Sequence, residues 1–425
     1  MASRGRLAVV GGGWAGLAAA VEGVRLGHAV TLFEMAPQLG GRARRVEAGG
    51  EVLDNGQHIL IGAYVDTLAL LARLGVSAAD AFERTPLRLM SADGFGLALR
   101  AGAPLPAFAA AVLRRRGWRV ADRLALLAAA AGWAARGFRC DPSLTVAALT
   151  ARLPRAVRDD LIEPLCVAAL NTPGADASAG VFLRVLKDAL FAGAGSADLL
   201  LPRVDLSALL PEPAARWLRD AGAAIRLAHR VDSLAAAGAG WSIDGEAFDR
   251  VVLAATPVEA ARLTRTIAPA WSASATALRY EPIVTVYLHA DGVRLPEAML
   301  ALHADAHAPA QFVFDRGRLG GRAGLLAFVI SGAQAWVDHG IDETARATLA
   351  QARAVLVPLL GGRELSLVQT LTEKRATFRC TPGLQRAPLM IAAQFHAAGD
   401  HVDGPYPATL EGAVRSGLAA VRRFA

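Results

Sequence analysis

The sequence predicts an α/β fold: one domain built on a parallel sheet, interleaved with a second domain of helices plus a mixed β-sheet. Three observations carry this. An apolar strand, a glycine-rich turn, a helix and a second strand follow one another within the first 34 residues. An Ala/Leu/Arg-rich stretch from about 65 to 190 then has helical spacing. Short alternating runs return from 223 and continue towards the C-terminus. The expected division is 1–75 with 200–270 and 375–425 for the first domain, and 76–199 with 271–374 for the second.

Bulk properties agree with a large folded chain. Its 425 residues exceed one ordinary domain, and 54% hydrophobic against 20% charged residues can bury a sizeable core. The net charge is +7, with Lys187 and Lys374 the only lysines. No nucleic-acid motif accompanies the scattered arginines, so nucleic acid is not an expected partner. Cys140, Cys166 and Cys380 are far apart and form no CxxC, which predicts no metal site and suits a reducing compartment. No secretory signal is read at the N-terminus. The longest relevant apolar run, "LALLAAAAGWAA" (124–135), is too short to span a bilayer. The expectation is a cytoplasmic protein, or one peripheral on the inner membrane face.

Taken in order, "RLAVVGG" (6–12) reads as a buried strand, "WAGLAAAVEGVRLG" (14–27) as a helix and "AVTLFE" (29–34) as the next strand. The turn between the first two is Gly11-Gly12-Gly13-Trp14-Ala15-Gly16, a G-x-G-x-x-G. The first glycine permits the turn, the second lets a pyrophosphate approach the backbone, and the third lets helix and strand pack closely. The helix N-terminus adds free N–H groups and a positive dipole end. Glu34 ends the second strand where a carboxylate can take a ribose hydroxyl. This is a Rossmann-like dinucleotide site. In "QLGGRARR", Gly40 and Gly41 allow a second backbone approach, and Arg42 supplies a fork-shaped cation for phosphate.

Further on, "AIRLAHRV", "WSIDG" and "RVVLAAT" read as strands within 223–256. So do 282–290, 323–331 and 365–374, the last two flanking a helix near 342–358. "GAGSAD" (193–198) lacks the context of a second dinucleotide motif, so no separate NAD(P)H domain is expected and electrons arrive or leave by another route. Near the end, "AAGDHVDGPYPATLEGAVRSG" (397–417) places a Gly-Asp pair before a Pro-rich turn and one last helix.

With G-G-R so soon after the ribose acid, the chain resembles the FAD enzymes of the amine oxidase and phytoene desaturase superfamily. That resemblance implies a Rossmann-like FAD-binding domain. It implies that Gly399-Asp400 sets a carboxylate near the ribityl and pyrophosphate groups, and that Thr409 and Leu410 point their N–H groups at the flavin ring. It also implies that Val231 offers backbone to the adenine. "DNGQHILIGAY" (54–64), "ALNTP" (169–173), "LLLPRVDLSALLPEPA" (199–214), "EKRATF" (373–378) and "DGPYPATLEGAVRSG" (403–417) resemble the squalene-associated FAD-dependent desaturases, the hydroxysqualene dehydroxylases of hopanoid synthesis. The implied substrate is hydroxysqualene, a triterpene reduced to squalene with loss of water. Amine-oxidising relatives carry an aromatic residue where this chain has Thr409.

Replacing an allylic hydroxyl by hydrogen needs a hydride, a proton for the leaving hydroxyl and a dry apolar environment. Flavin supplies the first. Candidate proton donors are His58 and Asp54 in "DNGQHIL", where Gln57 and His58 are also expected to touch the cofactor, and more weakly Lys374 and Tyr406. The alternative roles are bonding FAD or a loop carbonyl for His58, a solvated strand edge for Lys374 and turn packing for Tyr406. Cys380 is considered as a covalent flavin link and set aside.

Two rivals remain: a carotenoid-type desaturase or isomerase, and a flavin-free prenyl-binding protein of the GDP-dissociation-inhibitor type. Intact Gly11, Gly13, Gly16, Glu34 and Asp400 argue against the second. For a water-insoluble substrate, 112–139 is read either as a basic interfacial segment, with Trp118 and Trp133 at headgroup depth, or as a buried helix.

Overall fold

The computed structural model describes residues 4–92, 94 and 96–424. At its centre lies the strand Arg6–Val10, in a six-stranded sheet. Ala29–Phe33 and then Ala224–Arg226 lie on one side of it, and Arg250–Leu253, Phe395–Ala397 and Met390–Ala392 on the other. All neighbours pair in parallel except the last. A continuous apolar run suits such a strand, because both of its faces are covered.

Helix Trp14–Arg25 covers one face and is buried over most of its length. Its outer side carries the final helix, Leu410–Arg422. Gly16 and Gly417 permit these contacts. A Cβ on Gly16 would stand 1.8 Å from the Gly11 carbonyl oxygen, and one on Gly417 2.1 Å from that of Ala15. The strand read over 224–231 stops at Arg226, because Ala228 turns the chain at φ 51°, and His229 then donates to the Glu34 carbonyl at 2.9 Å. "WSIDG" and its neighbours form a separate three-stranded antiparallel sheet.

The second large sheet runs Met299–Ala301, Phe312–Asp315, Leu325–Ile330, Tyr280–His289, Ser366–Phe378, with helix Ile341–Leu360 packed against it. The sequence reading expects a mixed sheet; the pairing is antiparallel throughout. Three of its strands follow one another through short loops, which can join only antiparallel neighbours.

The stretch from 65 to 190 is helical, with an exception. Strands Phe82–Thr85, Arg88–Met90 and Gly96–Ala98 interrupt it, and the first pairs with the distant Leu199–Pro202. Helices Pro104–Arg114, Val120–Ala135, Glu163–Leu170 and Ala179–Phe191 then build an apolar block, with a π-helical turn at Arg158–Ile162. Trp118 and Trp133 lie inside that block, each about 5% exposed. The headgroup placement of these tryptophans is therefore corrected. Trp118 Nε1 donates to Asp160 at 2.9 Å, and Trp133 lies two helical turns beyond the buried Leu126 on the same face.

Candidate active site

The glycine turn sits at the C-terminal edge of the parallel sheet, where α/β folds bind ligands. Gly40 donates to the Gly12 carbonyl at 2.9 Å, which brings the two glycine loops face to face. A Cβ on Gly13 would meet only the Gly41 Cα, at 3.9 Å, so the backbone here borders open space. The Ala15 amide, in the first turn of the first helix, has no partner among the described residues. Trp14 is held in place by its ring N–H, which donates to the Ala43 carbonyl at 3.0 Å. The Glu34 carboxylate accepts from the amides of Gly12 at 2.6 Å and Ala36 at 2.7 Å. It thus fixes the turn as well as ending the strand. Val231 is buried; its carbonyl accepts from Arg262 at 2.6 Å and its amide has no partner among the described residues.

Gly399-Asp400 follows the strand Phe395–Ala397 on the same sheet. The buried Asp400 carboxylate accepts from Arg42 at 2.6 Å, which joins residues 358 apart in sequence. Burial alone would raise its pKa, but Arg42 and His401 outweigh it and hold the group well below the usual carboxylate range. Arg42 also donates to the Ala376 carbonyl at 2.7 Å and keeps 36% side-chain exposure. Arg386 holds the next loop, donating to the carbonyls of Asp400, Tyr406 and Gly404. Sequence reasoning missed this residue, and nothing local to it signals the role.

Thr409 caps the final helix and accepts from Gly412 at 3.0 Å. The Leu410 amide is free among the described residues, as a first-turn amide must be. Tyr64 hydrogen-bonds Thr409, and burial above all raises its phenol far above the ordinary value. Tyr64 closes the quoted "DNGQHILIGAY" stretch, so that string held the signal. Tyr406 stands on the same side: its hydroxyl accepts from Arg415 at 3.1 Å, and the Arg184 guanidinium lies 5.4 Å from its ring centre. Burial and then Asp188 raise its pKa, so the phenol keeps its proton.

The other candidate donors are less available. His58 Nδ1 lies 2.9 Å from the Gly56 carbonyl, which can only accept, so Nδ1 carries the hydrogen. Burial lowers its pKa, with Arg42 acting in the same direction. The ring is then neutral near pH 7 and Nε2 is an acceptor. Asp54 is buried; its carboxylate accepts from the Leu206 amide at 2.8 Å and lies 3.5 Å from Arg316. Desolvation pushes it up to about 6 against the pull of Arg316. Lys374 is exposed on the strand Ser366–Phe378. Cys380 is buried and burial pushes its thiol up to about 12, so it is no nucleophile.

The structure therefore brings the two glycine loops, Arg42, Asp400 and the start of the final helix onto one edge, and leaves Lys374 outside. Gln57 Nε2 and His401 Nε2 are among the buried side-chain polar atoms that lack partners among the described residues. With the open space at Gly13 and the unpaired Ala15 amide, this arrangement fits a dinucleotide cofactor whose pyrophosphate lies at the turn.

Comparison with known proteins points the same way. Residues 14–424 match the family of flavin containing amine oxidoreductases. A hydroxysqualene dehydroxylase of Rhodopseudomonas palustris is 30% identical over 97% of this chain and 96% of its own. One of Sinorhizobium fredii is 27% identical over 97% and 96%. A solved oxidoreductase from Methanosarcina mazei superposes with a TM-score of 0.73 at 15% identity, covering 98% of this chain and all of that one, which shows a shared fold. Fold and site thus define an FAD-dependent oxidoreductase. The chain belongs to the flavin containing amine oxidoreductase family and, within it, to the hydroxysqualene dehydroxylases.

Proposed function

We propose that this protein reduces hydroxysqualene to squalene and water. The observation that carries the reading is the junction at Thr409. The helix start is flanked by protonated tyrosines, and Ala408 packs against the buried hydrophobic cluster of the helical block. A bound reduced FAD would supply the hydride. The chain's own residues bind, orient and protonate.

Gly13, Gly41 and the Ala15 amide would receive the pyrophosphate, and Glu34 and the Val231 amide the adenosine end. Asp400, held ionised by Arg42, takes ribityl hydroxyls. Gln57 and His58 would hold the ring, where the His58 Nε2 lone pair is available to accept a hydrogen bond. The free amides at Thr409 and Leu410 favour negative charge beside the flavin.

The leaving hydroxyl needs a proton. Of the four candidates, Tyr406 meets the requirement best: it keeps its proton, it is not tied to a backbone amide, and Arg415 and Arg184 offset part of the cost that burial and Asp188 place on the phenolate that donation leaves. With a hydride delivered to the substrate carbon, the proton held by Tyr406 would let the hydroxyl depart as water. Apolar walls keep bulk water from that carbon. Contact with a lipid surface is part of this reading, since the substrate is nearly insoluble in water.

The test is anaerobic. Dithionite-reduced, flavin-loaded protein is mixed with detergent-dispersed hydroxysqualene and the lipid extract is analysed. Squalene in the extract, formed stoichiometrically with reoxidised flavin, is the expected result. No squalene, together with desaturated product from oxidised protein and a polyene precursor, would replace this reading by the desaturase one.

A further inference from the structure

Helix Val120–Ala135 is unusual in what it shows to solvent. Its exposed positions are Val120, Ala121, Leu124, Ala128, Ala131 and Ala135, spaced as one helical stripe without a charged or polar side chain. Val120 is 66% exposed and Leu124 55%. The helix has only two charged residues, both in its first turn and both tied down. Asp122 accepts from the Arg119 amide at 2.9 Å, and Arg123 donates to the carbonyls of Leu113 and Trp118. An uncharged stripe along sixteen residues marks an interaction surface rather than an ordinary wet helix.

What lies behind the stripe is also apolar. The inner side of this helix gives Leu126 and Trp133 to a pocket closed on its other sides by helices Pro104–Arg114, Glu163–Leu170 and Ala179–Phe191. Its lining is apolar throughout, and Leu105 and Phe191 at its rim are 43% and 42% exposed. Arginines frame the stripe. Arg114, Arg116 and Arg119 are exposed before it, and Arg136 and Arg139 after it.

We propose that this stripe, with Leu105 and Phe191, docks on an anionic lipid surface, and that the pocket behind it is the port through which an apolar chain leaves the bilayer. The occupant follows from charge and shape. A single apolar stripe with cations at both ends matches a leaflet, in which acyl chains take the stripe and anionic headgroups the arginines. No helix among the described residues is long and apolar enough to cross a membrane, so the stripe lies on the surface. Helix Ala179–Phe191 links port and chemistry. Leu186 and Leu190 line the pocket, while Arg184 and Asp188 reach Tyr406. The port half of the inference rests on the prenyl-substrate reading; the docking half does not.

The test measures binding rather than turnover, so the two readings fail separately. Flavin-loaded protein is sedimented with phosphatidylglycerol/phosphatidylcholine vesicles at low and high salt. Binding is expected at low salt and should weaken with salt. Val120→Glu with Leu124→Glu, both surface positions, should cost at least about tenfold in partitioning, with flavin content and melting temperature unchanged. Arg116→Glu with Arg119→Glu should cost about fivefold or more per residue. Wild-type protein that stays in the supernatant at low salt, or either double variant binding as well as wild type, overturns the proposal. So does a wild-type dimer that the Val120/Leu124 variant turns into a monomer, because a second copy would then cover the stripe.

Discussion

Where the final helix crosses the first, a Cβ on Gly417 would stand 2.1 Å from a backbone oxygen; helix Val120–Ala135, by contrast, buries only Leu126 and Trp133. The sheet domain achieves its fit by backbone against backbone, so single residue types are dictated at single positions. The helical block achieves its fit by side chains filling an apolar interior, which many Ala/Leu/Val arrangements satisfy. The first region is therefore brittle and the second tolerant.

The largest effect expected from that contrast is at Gly16. With the Gly11 oxygen 1.8 Å from a Cβ, Gly16→Val must pry the first helix from its strand. Loss of the folded state is predicted, on the order of 4 kcal/mol or more. Soluble yield and thermal unfolding read it out. A variant melting within a few degrees of wild type would remove the brittleness from the comparison. Gly13→Val sharpens it, because the Cβ there enters open space beside Gly41. That variant should fold normally and lose its visible flavin absorbance, separating binding from folding within one turn.

Legibility follows the same contrast. The strand–turn–helix with Gly11, Gly13 and Gly16 was readable because each glycine answers a local backbone demand. Asp400 was readable through its motif, but its ion pair with Arg42 was not, since nothing in sequence joins residues 358 positions apart. Arg386 is invisible for the same reason. In the helical block, the sequence left open whether Trp118 and Trp133 lie at an interface or inside, because an Ala/Leu-rich helix with arginines around it fits both; the structure buries them. Strand Phe82–Thr85 has four residues and a remote partner, too short for its period to stand out. Tyr64 and Tyr406 meet only in three dimensions, beside Thr409.

Tyr406 lies at the seam between the two regions. Tyr406→Phe should keep flavin content and melting temperature, and slow squalene formation by about 10²-fold or more. Turnover near wild type would clear Tyr406 of proton transfer and direct attention to Tyr64.

The smallest effect expected concerns Asp54, where the Leu206 amide and Arg316 hold a carboxylate in a dry environment. Burial raises it from 3.8 to about 6. A carboxyl raised in the folded state binds its proton more tightly there than in the unfolded chain. Its contribution to stability is thus fully present below about pH 4 and is lost as pH rises through about 6. The loss should be at most about 3 kcal/mol, and less where the surroundings relax on ionisation. Asp400 has the opposite sign: its depressed pKa gives stability that is present above about pH 4 and lost only in stronger acid. Between pH 4 and 6 the Asp54 slope is therefore not masked by Asp400. Denaturant melts of wild type and Asp54→Asn across that interval isolate it. The variant keeps an acceptor for the Leu206 amide but cannot titrate, so its stability should change less with pH than that of wild type. Parallel curves for the two proteins would mean that Asp54 is ionised throughout, with Arg316 outweighing its burial.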